Sequence, residues 1–247
     1  KKNILLLCLW MTTCCVAQNS TGECTWTVYT FPNGIMAREG CLINGQPEGI
    51  WTAFHENGTI KSRGNRREFL LDGTWEFFDT TGVKLRSVEY VKDLKSGWER
   101  SYFPNGKVKV EKHYEANQRS GWTYEFDQEG QRRKAIPFRN GEEDGKGREY
   151  AADGRTIALL EYDKGYLRNV EKVNRYDSFG QKTGVWMQWM GNGILQEQGP
   201  WEAGKRNGLF RFYDQWGQLE DVVKYFEGMV FNTPTVSGCH GWKLAEF

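Results

Sequence analysis

Long apolar runs, helical periodicity and a charge of one sign are all missing from this chain. Its one strongly apolar stretch, Ile4–Trp10, is too short to cross a bilayer as an ordinary helix, which excludes a conventional membrane span. Basic residues number 33 against 32 acidic ones, a net charge of +1 spread along the whole length. That balance gives no electrostatic reason to expect nucleic acid or an anionic membrane surface as partner. Histidine is scarce: His55, His113 and His240 stand far from one another, and no H-E-x-x-H or paired C-x-x-C occurs. A G-x-S-x-G elbow and a phosphate loop are absent too. Cys239 and His240 could serve as nucleophile and base, but adjacent residues of a strand point to opposite faces. With no motif for a metal, a nucleotide or an acyl intermediate, the chain is expected to be a non-enzyme that needs no cofactor.

Glycine and aromatic residues are plentiful instead, with 29 glycines and 15% aromatics, and both recur at fixed intervals. Glycines stand at Gly49, Gly73, Gly97, Gly121, Gly145, Gly184 and Gly208, each followed nine residues later by another, from Gly58 to Gly217. The first five starts are 24 residues apart, and so are the last two. A constant step of this size marks an array of small identical units. Counted from the first glycine of each unit as position zero, position two is a ring in Trp51, Trp75, Trp186 and Phe210. Position five is aromatic throughout: Phe54, Phe78, Tyr102, Phe126, Tyr150, Trp189 and Tyr213. These eleven rings are the expected structural core, since aliphatic residues are few and each ring removes a large area from water.

Positions eight and nine read Asn57-Gly58, Asn105-Gly106, Asp153-Gly154 and Asn192-Gly193, the strongest short-range signal for a tight hairpin turn. A second extended run follows, then a large residue such as Tyr90 or Tyr114 at position seventeen, then often a glycine at position twenty. The unit is therefore strand, tight turn, strand, looser turn. Strands are expected near 50–56, 74–79, 98–104, 122–127, 147–151, 185–190 and 209–214. The fold class is all-β: about eight hairpin repeats in an elongated, single-layer antiparallel sheet. Single hairpins are marginal in water, but side by side each ring gains neighbours on both flanks.

Two irregularities divide the array. A degenerate first unit begins near Trp26 and would cap it, as terminal repeats commonly do. The interval Gly145 to Gly184 is 39 residues, which is 24 plus 15, and holds Tyr176-Asp177-Ser178-Phe179-Gly180, half a repeat. An odd strand reverses everything after it, so the sheet must break or bend between Gly165 and Gly184. The organisation read from this is a leader at 1–17, repeats over 25–167, a second block over 168–231 and a tail or cap at 232–247.

Read across a unit boundary, Trp201-Glu-Ala-Gly204-Lys-Arg-Asn-Gly208-Leu-Phe210 follows W-x-x-G-K-x-x-G-x-aromatic. With Tyr213-Asp-Gln-Trp-Gly217, the chain resembles the MORN-repeat variant family, whose bacterial members include YwqK-type antitoxins. The resemblance runs from about Trp26 to Gly228. It implies stacked hairpins and a protein-binding or scaffold role, possible immunity proteins among them. The chain departs from the family core at position two, where a ring often replaces the expected glycine.

Lys1 and Lys2, the short apolar stretch and the small residues ending Cys15-Val16-Ala17 read as a secretory signal cut after Ala17. The expected location is exported: periplasmic, envelope-associated or secreted. Met11-Thr12-Thr13 is a poor lipobox for Cys14 or Cys15, which argues against a lipid anchor. Cleavage would remove Cys8, Cys14 and Cys15 and leave Cys24, Cys41 and Cys239, of which Cys24 and Cys41 flank one hairpin and could form a disulfide. For partner binding, Arg63, Arg66 and Arg67 stand out, because Arg66 occupies a position that elsewhere holds a ring; Arg132-Arg133-Lys134 is a similar cluster. Trp216, like Phe179, falls within a turn where core packing has little claim. The expected partner is a protein of the bacterial cell envelope. The alternative is a cell-wall or glycan-binding array, which Ser96-Gly97-Trp98 and Ser120-Gly121-Trp122 echo.

Overall fold

The computed structural model describes residues 22–231. The leader, Cys8, Cys14, Cys15, Cys239, His240 and the segment 232–247 lie outside the described residues. Every regular element described is a strand, and every pairing is antiparallel between strands close in sequence. Fourteen strands from Thr25 to Lys172 form one sheet and seven from Arg175 to Val230 form a second, neither closed into a barrel.

The repeated strands start earlier than the glycine spacing suggests, at Gln46–Phe54, Leu70–Phe78, Leu94–Tyr102 and Gln118–Phe126. The reason lies in the position-zero glycines, which sit inside strands as bulges. Gly40 faces Trp51, but the next residue, Cys41, faces Glu48, so two residues on one strand go unmatched. Gly49 takes a φ of 69° there, a left-handed conformation that costs glycine little.

The two turn types are the reverse of the expectation. The tight turns fall at positions nineteen and twenty, where both central residues have positive φ, as in Lys92 at 50° and Asp93 at 65°. The Asn-Gly turns are the wider ones: only the glycine is left-handed, and the His55 amide donates to the Thr59 carbonyl at 2.8 Å. Side-chain carboxyl or amide oxygens organise these wide turns in two ways. Asn57 and Asn105 accept from the amide two residues on, at 3.1 and 3.0 Å, and donate across to Thr80 and Gln128 of the next repeat at 2.7 and 2.9 Å. In other repeats Asp79, Asp127, Asp177 or Asp214 opens the turn and accepts two amides at once.

Packing between strands rests on rings laid over bare backbone. Trp51 lies over Gly40, Trp75 over Gly64 and Phe210 over Gly199; a methyl group on any of these glycines would approach the ring closer than 3.0 Å. The indole of Trp51 then donates to the Cys41 carbonyl at 3.1 Å and that of Trp75 to Asn65 at 2.9 Å. Where the ring is missing, the glycine is missing as well: Glu99 faces Val88 and Thr123 faces Lys112. Of the eleven expected core rings, Trp51, Trp75 and Phe210 are buried. Phe54, Phe78, Tyr102, Phe126, Tyr150, Trp186, Trp189 and Tyr213 are half-buried, because no second layer covers them. Cys41, Val88, Ala135, Ile136, Phe138, Ala158, Leu160 and Val173 complete the buried apolar set among the described residues.

The basic residue two places before a position-zero glycine has a defined task in four repeats. It stands over the ring nineteen residues on: Lys95 over Tyr114 at 4.9 Å, Arg119 over Phe138 at 3.8 Å, Lys182 over Trp201 at 4.2 Å and Arg206 over Tyr225 at 5.0 Å. In these four repeats a cation at the start of one strand is thereby joined to a ring at the end of the strand after it.

The ladder breaks between Lys172 and Arg175, inside the interval that holds the extra half-repeat. Tyr166–Lys172 pairs with Thr156–Asp163, whereas Arg175–Tyr176 pairs with Lys182–Trp189. Asn174, buried at the break, bridges the two. Its Nδ2 donates to the Thr156 and Met187 carbonyls at 2.9 and 3.0 Å, and its Oδ1 accepts the Met187 amide at 2.6 Å. An amide side chain here reproduces the pairing of a missing strand. Trp189 also meets the other sheet, with the Arg148 guanidinium 4.9 Å from its ring.

Two outcomes follow. Gly64→Ala should lower stability by about 1–3 kcal/mol through overpacking against Trp75, while Gly191→Ala, where nothing lies within 4 Å, should be neutral in urea unfolding. Asn174→Ala should cost about 1–3 kcal/mol for each group it orphans, and limited proteolysis should then cut first near residues 173–181.

Candidate binding surfaces

The arginines singled out in the sequence are already engaged. Arg63 Nε lies 2.9 Å from Glu76, which also takes Lys84 at 2.7 Å, and Arg67 pairs with Asp72 at 3.0 Å. Arg66 donates to the Phe69 carbonyl at 2.8 Å and stands 5.6 Å from the Trp75 ring. Its place is explained by Pro47, which stands where four other repeats carry the ring-covering cation. The cation has moved across the strand pair, and Arg66 covers a ring from the other side. The adjoining turn, Glu68-Phe69, has both residues at positive φ, an unusual setting for phenylalanine. Glu48 accepts the Phe69 amide at 3.1 Å, doing what a strand carbonyl does for Asp93 and Asn117.

Trp216 is 73% exposed at its turn and lies in the second sheet, whereas Arg63, Arg66 and Arg67 lie in the first. The two proposed groups are thus not one site. In the second basic cluster, Lys134 pairs with Glu149 at 3.0 Å and Arg133 lies 3.8 Å from Asp127. Arg132 forms no ion pair among the described residues and lies 4.2 Å from the Tyr124 ring.

Alternation and pairing assign the remaining rings to faces. Trp51, Trp75 and the position-seventeen rings share the packing face; position one and position three look out from the opposite, open face. Ile50, Trp122, Val185 and Leu209 are exposed there. Trp122 and Tyr124 lie with rings nearly parallel, 9° apart at 6.2 Å, and Trp98 stacks on Tyr124 at 6.5 Å. Beside them runs a groove of about 380 Å³, lined by Trp122, Tyr124, Arg132, Ala135, Lys146, Arg148 and Tyr150. Ala135, paired with Tyr124 on one side and Arg148 on the other, is its floor.

The electrostatics of the groove differ from those of the equivalent place two repeats earlier. Arg100 holds the same position in its repeat as Arg148, and it is met by Glu111 at 2.7 Å and Glu89 at 3.4 Å. Leu159 and Pro137 stand at the corresponding places around Arg148. No carboxylate lines the groove, and Lys146 and Arg148 form no ion pair among the described residues. The sequence reading missed this surface because its members come from three strands and each looks ordinary alone. The register signal was available in Trp122, one place off the core ring position.

Among the described residues, no three His, Cys, Asp or Glu side chains converge as metal ligands, and no helix is long and apolar enough to cross a membrane. The MORN repeat variant family matches the chain at residues 47–67 and 97–116. No curated protein matches it. Among solved structures, a chain of the TcdB2–TccC3 crystal structure is similar over 80% of this chain at 13% identity, with a TM-score of 0.19. The TcdB2–TccC3–Cdc42 structure gives the same identity and TM-score. This chain covers 14% and 13% of those two chains.

The Glu76 network has a pH signature. The hydrogen bond from Lys84, only partly offset by burial, holds the Glu76 carboxyl below its ordinary value of 4.5. A carboxyl that titrates lower when folded stabilises the fold fully above its unfolded pKa, and that contribution is lost as pH falls through the folded one. Glu76→Gln should therefore flatten the acid limb of the melting profile, by under about 1 kcal/mol because the network is part-exposed. Thermal melts from neutral to acid pH would check it.

Proposed function

The chain carries repeats of the MORN variant family, and from that premise we propose an exported, non-enzymatic binding module that docks a protein partner on the open face of its sheet. The observation that carries this reading is the acid-free groove beside Trp98, Trp122 and Tyr124, held on a backbone fixed by strand pairing on both sides. Aromatic and arginine side chains on a rigid frame are the groups that dominate protein interfaces. Export is supported by the lysine-led leader and by the disulfide between Cys24 and Cys41, which ties the residue just before the first strand to the second strand. Disulfides persist in oxidising compartments. A scaffold or immunity role in a cell envelope would use the same surface, with the partner held by shape and charge and no bond made or broken. A second reading, binding of cell-wall glycan, is favoured by Trp216 and Phe179, exposed by 73% and 85% at turn tips.

A photoreactive residue placed at Ile50 or Glu161 on the open face should give a discrete protein adduct in cells, and one at Glu125 on the packing face should not. Equal labelling from both faces would remove the docking surface. Retention of the chain by purified cell-wall glycan, lost in Trp216→Ala and with no protein adduct from the open face, would replace the protein reading by the glycan one.

A further inference from the structure

The geometry points to the groove along strand Arg132–Arg139 as a seat for an extended acidic segment of a partner protein. This rests on the protein-binding reading and adds the site and its chemistry. The flanking strands stand two inter-strand spacings apart, roughly 10 Å, which is room for one extended chain above Ala135. One wall is aromatic, from Trp122 and Tyr124. The other is cationic, from Lys146 and Arg148, and Arg132 closes over Tyr124 at 4.2 Å.

Charge complementarity selects the occupant. The fourteen ion pairs engage thirteen of the basic residues described; Arg132, Lys146 and Arg148 are among those outside them, and here three such cations line one groove. The only acid facing them across a strand is Glu161, the register partner of Lys146, and the two make no ion pair. Both carboxylates that neutralise Arg100 are replaced around Arg148, by Leu159 and Pro137. Three cations without a carboxylate partner, two of them resting on the rings of Tyr124 and Trp189, leave a place for carboxylates supplied from outside, and guanidinium groups bind them in a bidentate fashion. A strand-like segment with acidic residues at alternate positions would direct carboxylates to the cations and apolar side chains toward the rings. An anionic sugar fits less well, because Arg132 occupies one face of Tyr124 that a pyranose would stack on.

The test uses the full chain and a fluorescein-labelled decapeptide of alternating Glu and Val. Fluorescence anisotropy should show saturable binding in low salt, lost in high salt as expected of exposed charges. Arg148→Gln and Lys146→Glu should each weaken it at least tenfold, and Trp122→Ala several-fold. Lys61→Glu, on the same face but away from the groove, should leave it unchanged, and the Lys-Val counterpart should not bind. Melting curves would confirm that each variant is folded; the two charge variants act independently, so loss of fold in one leaves the other decisive. Binding of the Glu-Val peptide that survives both substitutions would overturn the proposal. So would no binding of that peptide, or binding of polygalacturonate in its place. If the peptide fails while open-face protein adducts persist, only the acidic-segment assignment falls; if both fail, the protein-binding reading falls with it.

Discussion

An aromatic ring pressed onto the bare backbone of the neighbouring strand is the contact that the rest of the molecule depends on. A single sheet cannot bury side chains against a second layer, so burial has to occur within the sheet, and a large ring needs a hollow to lie in. Gly40, Gly64 and Gly199 provide that hollow for Trp51, Trp75 and Phe210. The pairing is reciprocal: repeats that lose the ring refill the hollow, with Val88 opposite Glu99 and Lys112 opposite Thr123. Ring and glycine lie on adjacent strands eleven residues apart, so this single contact also sets strand register.

Charge is organised by the same limitation. A cation laid on a half-buried ring covers the surface that a second layer would otherwise have covered, while its charged head stays in water. Lys95, Arg119, Lys182 and Arg206 do this on one face, which is why the basic residue recurs so regularly in a chain of near-zero net charge. Arg66 shows the rule by its exception: Pro47 removes the cation from its usual strand, and the arginine across the pair takes over. On the open face Arg132 and Arg148 also lie on rings, those of Tyr124 and Trp189, and with Lys146 they share one groove without making an ion pair. The absence of an ion pair to any of the three is what gives the groove its functional reading.

The extra half-repeat has a different consequence. A meander with one strand too many cannot keep its two turn types on their own edges, and the hydrogen-bonded ladder ends at Lys172. Asn174 closes the gap with side-chain hydrogen bonds to both flanking strands. Arg148 reaching Trp189 adds a contact between the two sheets beside the groove, so the irregularity and the candidate site are neighbours.

Spacing along the chain was enough to establish an all-β hairpin array, its 24-residue step and the turn positions, because each of these is a local requirement repeated many times; of the eleven rings it marked as core, three are buried. The wide and tight turns were misread for one another, since Asn-Gly serves in either and the register shift beside it, between Ala53 and Phe54, appears only once the strands are paired. The arginine cluster at Arg63, Arg66 and Arg67 looked like a free surface in one dimension and became a set of satisfied partners once Glu76, Asp72 and Trp75 were brought beside it. Conversely, nothing in the order of residues marks Ala135 as the floor of a groove. That status comes from pairing with Tyr124 on one strand and Arg148 on another. Periodicity determines what each strand is, because backbone geometry repeats; which charges find partners is decided only when strands distant in sequence are laid side by side.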